Sequence, residues 1–378
     1  MITQKDLASR LGMSVSTVSR ALAGSPQIPA DTVKRVRALA EKMGYRRYGP
    51  ASALRTQKTG VLGLAVGDID NPFFASLAHH VERAAQHLGM SLLIANGQED
   101  AAAQEKIVIS MVEQRVDGLL LVPTGSPTGS PTAGTRKLVG QVPTVTVDRN
   151  LAGAGLDAAL VDATVAVRQL ASHIAQAGYR HPAILCGPND TSTGRDRAQL
   201  VRTELRKVFP DTALPTAHIP HSPDRAATAC RDLIRNTPTD VIIAGGNMIA
   251  LGALKILNRC SLHIGLATFD DLPWFSAVRP SLTAIGTDVQ QLAENAIDLL
   301  KRRMDSPDAP ALTLWQQATL YPRESTTPCH QLGPARPADT LAWGTHRGRP
   351  ASNSKPSSQP TRPAGAPKPS TRPLSEKE

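Results

Sequence analysis

Four cysteines in 378 residues, Cys186, Cys230, Cys260 and Cys329, stand far apart and form no C-x-x-C pair. Their scatter excludes a disulfide framework and argues against a zinc site. They read as buried, unreactive thiols, the usual setting of free cysteine. No apolar run approaches the ~18 residues that a membrane span requires. The opening MITQKDLASRL alternates charged and apolar groups and has no apolar core of a secretory signal. A cytoplasmic protein without a membrane partner is the expectation. Catalytic signatures are missing as well: there is no G-x-S-x-G, no H-E-x-x-H, and no histidine set at metal-ligand spacing. His79 and His80 read as a helix-surface pair. CGPNDTSTGR, residues 186–195, lacks the lysine and the spacing of a phosphate loop. No enzyme, no cofactor and no metal are therefore expected.

What is present is an uneven charge. The net +10 divides into +8 over residues 1–60, −3 over 61–330 and +5 over 331–378. A basic head on a mildly acidic body points to an anionic polymer as the head's partner, unless the excess is only a solvated charged face.

Pattern divides the chain into zones. In the head, Thr3 is placed to cap a helix bearing Leu7, Ala8 and Leu11, which Gly12 ends. A second short helix begins after Ser14. A third spans about residues 30–43, with Val33, Val36, Leu39, Ala40 and Met43 on one side, and ends at Gly44. The first two, joined by a tight turn, outline a helix-turn-helix.

From residue 61 the rhythm becomes strand then helix. VLGLAVG, SLLIAN, VDGLLLVP, VPTVTVD, AILCG, DVIIAGG and IGLATFDD read as buried strands. Helical patterns lie near 73–89, 101–115, 163–178, 193–208, 223–236 and 247–258. Alternation of this kind predicts an α/β body of parallel sheets, and some 270 residues favour two lobes over one. PTGSPTGSPTAGTR, residues 123–136, reads as an extended surface loop. The Pro/Ser-rich basic end has too few large apolar residues to fold.

In a helix-turn-helix the second helix enters the major groove. Ser14, Thr17 and Ser19 suit phosphates, which position the protein, and Val15, Ser16 and Arg20 suit base edges, which choose a sequence. Val15 could instead extend a core stripe with Val18 and Leu22. In the body, the residues after the strands are chemically suggestive: Asn71, Phe73 and Phe74; Asp148 and Arg149; Arg197; Asp270. Aromatic faces pack on the C–H face of a sugar ring, and charged side chains read its hydroxyls. Trp274 either lines the same cleft or simply packs.

Residues 3–46, TQKDLASRLGMSVSTVSRALAGSPQIPADTVKRVRALAEKMGYR, resemble the DNA-binding domain of the LacI/GalR family of transcription regulators. The likeness continues through DIDNPFF, RVDGLLLVP, VDRN, ALGAL, FDD and RES to about residue 325. It implies a helix-turn-helix domain over 1–46, a hinge over 47–59, a two-lobed sensing and dimerisation domain over 60–328, and a disordered tail over 329–378. It also implies a homodimer on a pseudo-palindromic double-stranded DNA operator, with Leu54 as a minor-groove wedge. Gly49 and Pro50 depart from helix-friendly hinge residues and would confine any hinge helix to a short one.

The body resembles the periplasmic sugar-binding protein fold. In its ribose-type members an N-P-F-F motif, a D-R pair, an arginine and an aspartate hold the ring. These fall on Asn71, Phe73, Phe74, Asp148, Arg149, Arg197 and Asp270. His221 stands near a position where a phenylalanine is expected, Gly246 where an asparagine is, and Thr287 where a glutamine is. The expected function is a repressor whose operator binding responds to a sugar or sugar derivative. The rival is a carbohydrate-binding receptor with no DNA role, which would not need the basic head.

Overall fold

The computed structural model describes residues 2–45, 58–125, 133–151, 153–259 and 263–327. Leu54, the rest of the hinge up to residue 57, Cys260, Cys329 and the tail lie outside the described residues.

Three helices build the head. Helix α1 (Gln4–Leu11) starts in a capping box: the Thr3 hydroxyl accepts from Asp6 N at 3.3 Å, and the Asp6 carboxylate accepts from Thr3 N at 2.8 Å. Gly12, at φ 63°, ends it in the left-handed conformation that glycine adopts without strain. Helix α2 (Val15–Leu22) is capped by Ser14, and α3 (Ala30–Lys42) follows. Helices this short are marginal alone. They hold because Leu7, Val18, Ala21 and Val36 are fully buried in one shared core.

The body is two sheets with helices between most successive strands. The first sheet runs β2 (Ser91–Asn96), β1 (Val61–Val66), β3 (Gly118–Leu121), β4 (Thr144–Val147), β5 (Asp157–Asp162), β11 (Thr313–Gln317), all parallel. The second runs β7 (Thr216–His218), β6 (Pro182–Cys186), β8 (Val241–Ala244), β9 (Gly265–Phe269), β10 (Thr283–Gly286), β12 (Thr319–Tyr321). Only β12 is antiparallel, against β10. The central strands are buried end to end, as expected where helices cover both faces.

Three expectations need correction. SLLIAN forms β2 but is not buried: it is an edge strand paired only with β1, so solvent reaches both its faces. The stretch read as one loop ends in a helix, Ala133–Val139. Strands β5, β7 and β10–β12 carry no long apolar run, and the helix Val289–Asp305, also outside the expected elements, is marked only by spaced apolar residues.

That last helix follows a strand of the second sheet yet packs on the first. Leu292, Ala296, Leu299 and Leu300 lie in the same buried cluster as Leu62, Leu64 and Phe74. Asp157, fully buried at the start of β5, fixes its far end. The carboxylate accepts from Arg303 Nε at 2.8 Å, Arg302 Nη1 at 3.3 Å and Leu312 N at 2.6 Å. The chain thus crosses between lobes three times, after β5, before residue 289 and between β11 and β12. Ala318 N donates to Asp162 O at 2.9 Å, tying two of the crossings together.

Candidate functional site

On the head, Ser14 spends its hydroxyl locally: it caps Thr17 N at 3.0 Å and lies 2.7 Å from the Ser16 hydroxyl and 2.8 Å from that of Thr17. Ser14, Ser16 and Arg20 are exposed, and Thr17 half-buried. Val15 is 45% exposed, so it does not extend the core stripe. Ser19 is buried beside Val18.

In the body, the carboxyl ends of both parallel sheets face one cleft, the position where α/β sheets bind ligands. Asn71, just past β1, caps the helix Pro72–His87. Its Oδ1 accepts from Phe73 N at 3.0 Å and, across the cleft, from Asn247 Nδ2 at 2.8 Å. Asp148 follows β4 and Asp270 follows β9, with φ of 63° and 64°. Left-handed backbone is uncommon for residues with a Cβ and concentrates at functional sites. Here it turns one carboxylate from each lobe into the same space.

Two guanidiniums, Arg149 buried and Arg197 half-buried, complete the arrangement. Arg149 makes a two-pronged pair with Glu99, Nη1 to Oε2 at 2.6 Å and Nη2 to Oε1 at 2.7 Å, and Nη1 also donates to Pro123 O at 3.2 Å. It lies 5.5 Å over the Phe74 ring. Arg197 reaches from the helix Ser192–Val208 to Asp270 at 3.1 Å and to Asp148, in the other lobe, at 3.7 Å. Its Nη1 donates to Gly245 O at 2.9 Å. Asn150 N donates to the Ser192 hydroxyl at 2.9 Å, another bond between lobes.

Burial pushes Asp148 up to about 6 despite the charges of Arg197 and Arg149. Burial, then Arg149, brings His221 down to about 4, so its imidazole is neutral near pH 7. Burial would raise Glu99, but the charge and hydrogen bonds of Arg149 hold it below the usual carboxylate range. Several buried polar atoms here have no hydrogen-bond partner within the protein: Asp148 Oδ1 and Arg149 Nε, which make only longer ion pairs, His221 Nε2 and Asn247 Oδ1. Unsatisfied buried groups are costly and few in folded proteins, so a cluster marks a place prepared for a polar guest.

All eight expected cleft residues converge: Asn71, Phe73, Phe74, Asp148, Arg149, Arg197, His221 and Asp270 border one enclosed space of about 20 Å³, which is room for little more than one water. A larger compartment of about 570 Å³ adjoins it toward the crossover strands, sharing Asp148, Arg197 and Asp270 and walled by Phe269, Ile285, Thr287 and Trp315. Phe73 and Phe74 also belong to the first lobe's core. Trp274 packs edge-on against Phe275 at 4.4 Å and borders neither space. Sequence reasoning missed Glu99 and Asn247. Asn247 lies one residue beyond Gly246, where an asparagine had been expected. Glu99 was findable from its place just past β2, the same strand-end rule that found the others.

Among the described residues no cluster of histidine, cysteine and carboxylate side chains is disposed to hold a metal, and no helix is long and apolar enough to cross a membrane. Cys186 and Cys230 are buried, as expected.

Comparison with known proteins bears on both regions. Residues 3–47 match the model for bacterial regulatory proteins of the lacI family, and residues 59–271 match that for periplasmic binding proteins and the sugar binding domain of the LacI family. The chain is 28% identical over 334 residues to the HTH-type transcriptional regulator PtxS of Pseudomonas plecoglossicida, covering 86% of this chain and 96% of the relative. GalR of Escherichia coli K12 gives the same identity and coverage. The ribose operon repressor of that organism is 27% identical over 328 residues, covering 84% and 96%. In fold, the chain is similar to the lac repressor dimer bound to operator and the anti-inducer ONPF, with a TM-score of 0.75 at 18% identity, over 86% of this chain and 99% of that one.

Proposed function

The chain belongs to the LacI family of bacterial regulatory proteins, and we propose on that premise how its parts divide the work of a DNA-binding regulator controlled by a small molecule. The head, residues 1–46, reads a pseudo-palindromic operator as a homodimer. Helix α2 lies in the major groove with Ser14 and Thr17 on phosphates and Val15, Ser16 and Arg20 at base edges. Leu54, in the hinge over residues 47–59, wedges the minor groove. Residues 60–328 sense the effector, and the tail over 329–378 lies beyond both. The protein works in the cytoplasm as a repressor and catalyses nothing.

The effector is a carbohydrate or a close derivative. The observation carrying this is the convergence from both lobes of Asn71, Asp148, Arg197 and Asp270, with buried polar atoms left unpartnered beside the Phe74 ring. Hydroxyls on a compact ring satisfy such a set. The lobes close on three polar links, Asn71 with Asn247, Asp148 with Arg197 and Asn150 with Ser192. A ligand that binds one lobe arrangement better than another shifts the population of heads fit for the operator.

The test is operator selection from random duplex DNA by the purified full chain, followed by fluorescence anisotropy on the selected site with and without sugars. A palindromic consensus whose affinity changes with a sugar is expected. Selection of no sequence at all would overturn the operator reading. An operator that answers no small molecule would overturn the division between head and sensor.

A further inference from the structure

The cleft's two positive charges are already spoken for. Arg149 is held in a two-pronged pair by Glu99, and Arg197 lies between Asp270 and Asp148. Glu99, Asp148 and Asp270 are paired with the two guanidiniums that border the cleft, so neither guanidinium is left without a carboxylate. His221 is neutral near pH 7 and adds none.

Space for Glu99 is built into the backbone opposite it. A Cβ on Gly67 would stand 2.5 Å from Glu99 Oε1, so a larger residue there would displace the carboxylate that reaches Arg149. Glu99 itself takes a left-handed backbone, φ 51°, and its N–H donates to Gly67 O at 2.8 Å. The backbone thus turns Glu99 inward onto Arg149, which borders the cleft.

The unpartnered atoms point the same way. Asp148 Oδ1 and Asn247 Oδ1 only accept hydrogen bonds when the carboxylate is ionised, and the neutral His221 ring nitrogen takes either role. Only Arg149 Nε must donate. A guest that completes this set brings mostly O–H donors. A carboxylate or phosphate brings acceptors alone and adds negative charge beside Asp148 and Asp270.

We propose that the effector is an uncharged polyol of monosaccharide size, and that Glu99 sets this choice by occupying the guanidinium that would otherwise draw a carboxylated or phosphorylated sugar. The proposal rests on the reading of the cleft as a carbohydrate site. Opening the lobes admits the ring, and closing them hands its hydroxyls to the unpaired acceptors while Arg149 stays with Glu99.

The test uses the full-length protein and isothermal calorimetry with matched sets: an aldose, the aldonate of the same skeleton, and its terminal phosphate, for pentoses and hexoses. At least one aldose is expected to bind about tenfold or more tighter than its aldonate and its phosphate, since like charges brought together in an interface are strongly disfavoured. Glu99→Gln should narrow or reverse that ratio and give the aldonate a larger thermal upshift than in the wild type. Glu99→Asp, which keeps the charge, should preserve the ratio.

An aldonate or phosphate bound in preference by the wild type would overturn the proposal and leave the carbohydrate site standing. That comparison needs no variant to fold. An unchanged ratio in a folded Glu99→Gln protein would overturn the role of Glu99. No binding by any member of the sets would overturn the carbohydrate reading itself, and the proposal with it.

Discussion

Asn247 donates to Asn71 across the cleft at 2.8 Å, and the accepting oxygen is the one that already caps the helix beginning at Pro72. One atom thereby joins a helix start in the first lobe to a helix start in the second. The two asparagines are unequal partners. Asn247→Ala removes one hydrogen bond, worth about 1 kcal/mol, whereas Asn71→Ala also removes a cap, worth about another 1 kcal/mol. Thermal unfolding should rank Asn71→Ala below Asn247→Ala, with both below the wild type. Equal losses would mean that the cap carries nothing.

Helix α2 separates exposed residues, proposed to read DNA, from residues packed in the head's core. Val15 and Arg20 are exposed, so Val15→Ala and Arg20→Ala should each leave stability within about 0.5 kcal/mol of the wild type while altering the operator preference. Leu7, fully buried in the head's core, should lose about 2–5 kcal/mol on replacement by alanine. Chemical denaturation alongside operator anisotropy checks both. A change in Arg20→Ala that weakened all sequences equally would make Arg20 a phosphate contact.

Asp148 should reveal a conflict between stability and sensing. Its folded pKa is raised to about 6, so its contribution to stability is greatest at low pH and is lost as pH rises through that value. Asp148→Asn removes the buried charge. The variant should match the wild type near pH 4 and exceed it by about 1–3 kcal/mol at pH 8, while losing affinity for the effector. Melting curves across pH 4–8 test the first statement and calorimetry the second. A variant less stable than the wild type at pH 8 would show that the Arg197 pairing outweighs the burial of the charge.

Asp157 should behave in the opposite sense. Burial raises it, but the hydrogen bond from Arg303, the Leu312 N–H and the charges of both arginines hold it below the usual range. Its stabilisation is therefore present above the unfolded carboxylate pKa and is lost as pH falls through the lower folded value. Asp157→Asn should cost about 3–5 kcal/mol at pH 7, the scale for breaking a buried pair on one side. The difference from the wild type should shrink as the pH falls below 4, which acid unfolding curves measure.

The sequence disclosed the parts of this molecule whose local signals and tertiary roles agree. Thr3 and Gly12 punctuate α1 as their chemistry requires, and the central strands announce themselves because both of their faces are covered. The cleft residues were readable because they follow strands, where the sheet must end and side chains are free for chemistry. Glu99 was passed over because an acid in NGQED looks like ordinary loop polarity, and only the backbone turn aims it at Arg149. Strand β5 escaped because DAALVD is closed at both ends by aspartates, one of which is buried as an ion-pair partner. The helix Val289–Asp305 carries its signal in the spacing of Leu292, Ala296 and Leu299 after the Asp288 cap.

The return of that helix to the first lobe sets an order of events in the cell. The first sheet lacks its covering helix and its strand β11 until about residue 317 has left the ribosome. Residues 2–45 have a buried core of their own well before that. During synthesis, at about 5–20 residues per second, the head is complete many seconds ahead of its sensor. A polysome on this message therefore carries finished heads with unfinished sensors, and a stop codon anywhere before about residue 289 strips the first lobe as well as the second.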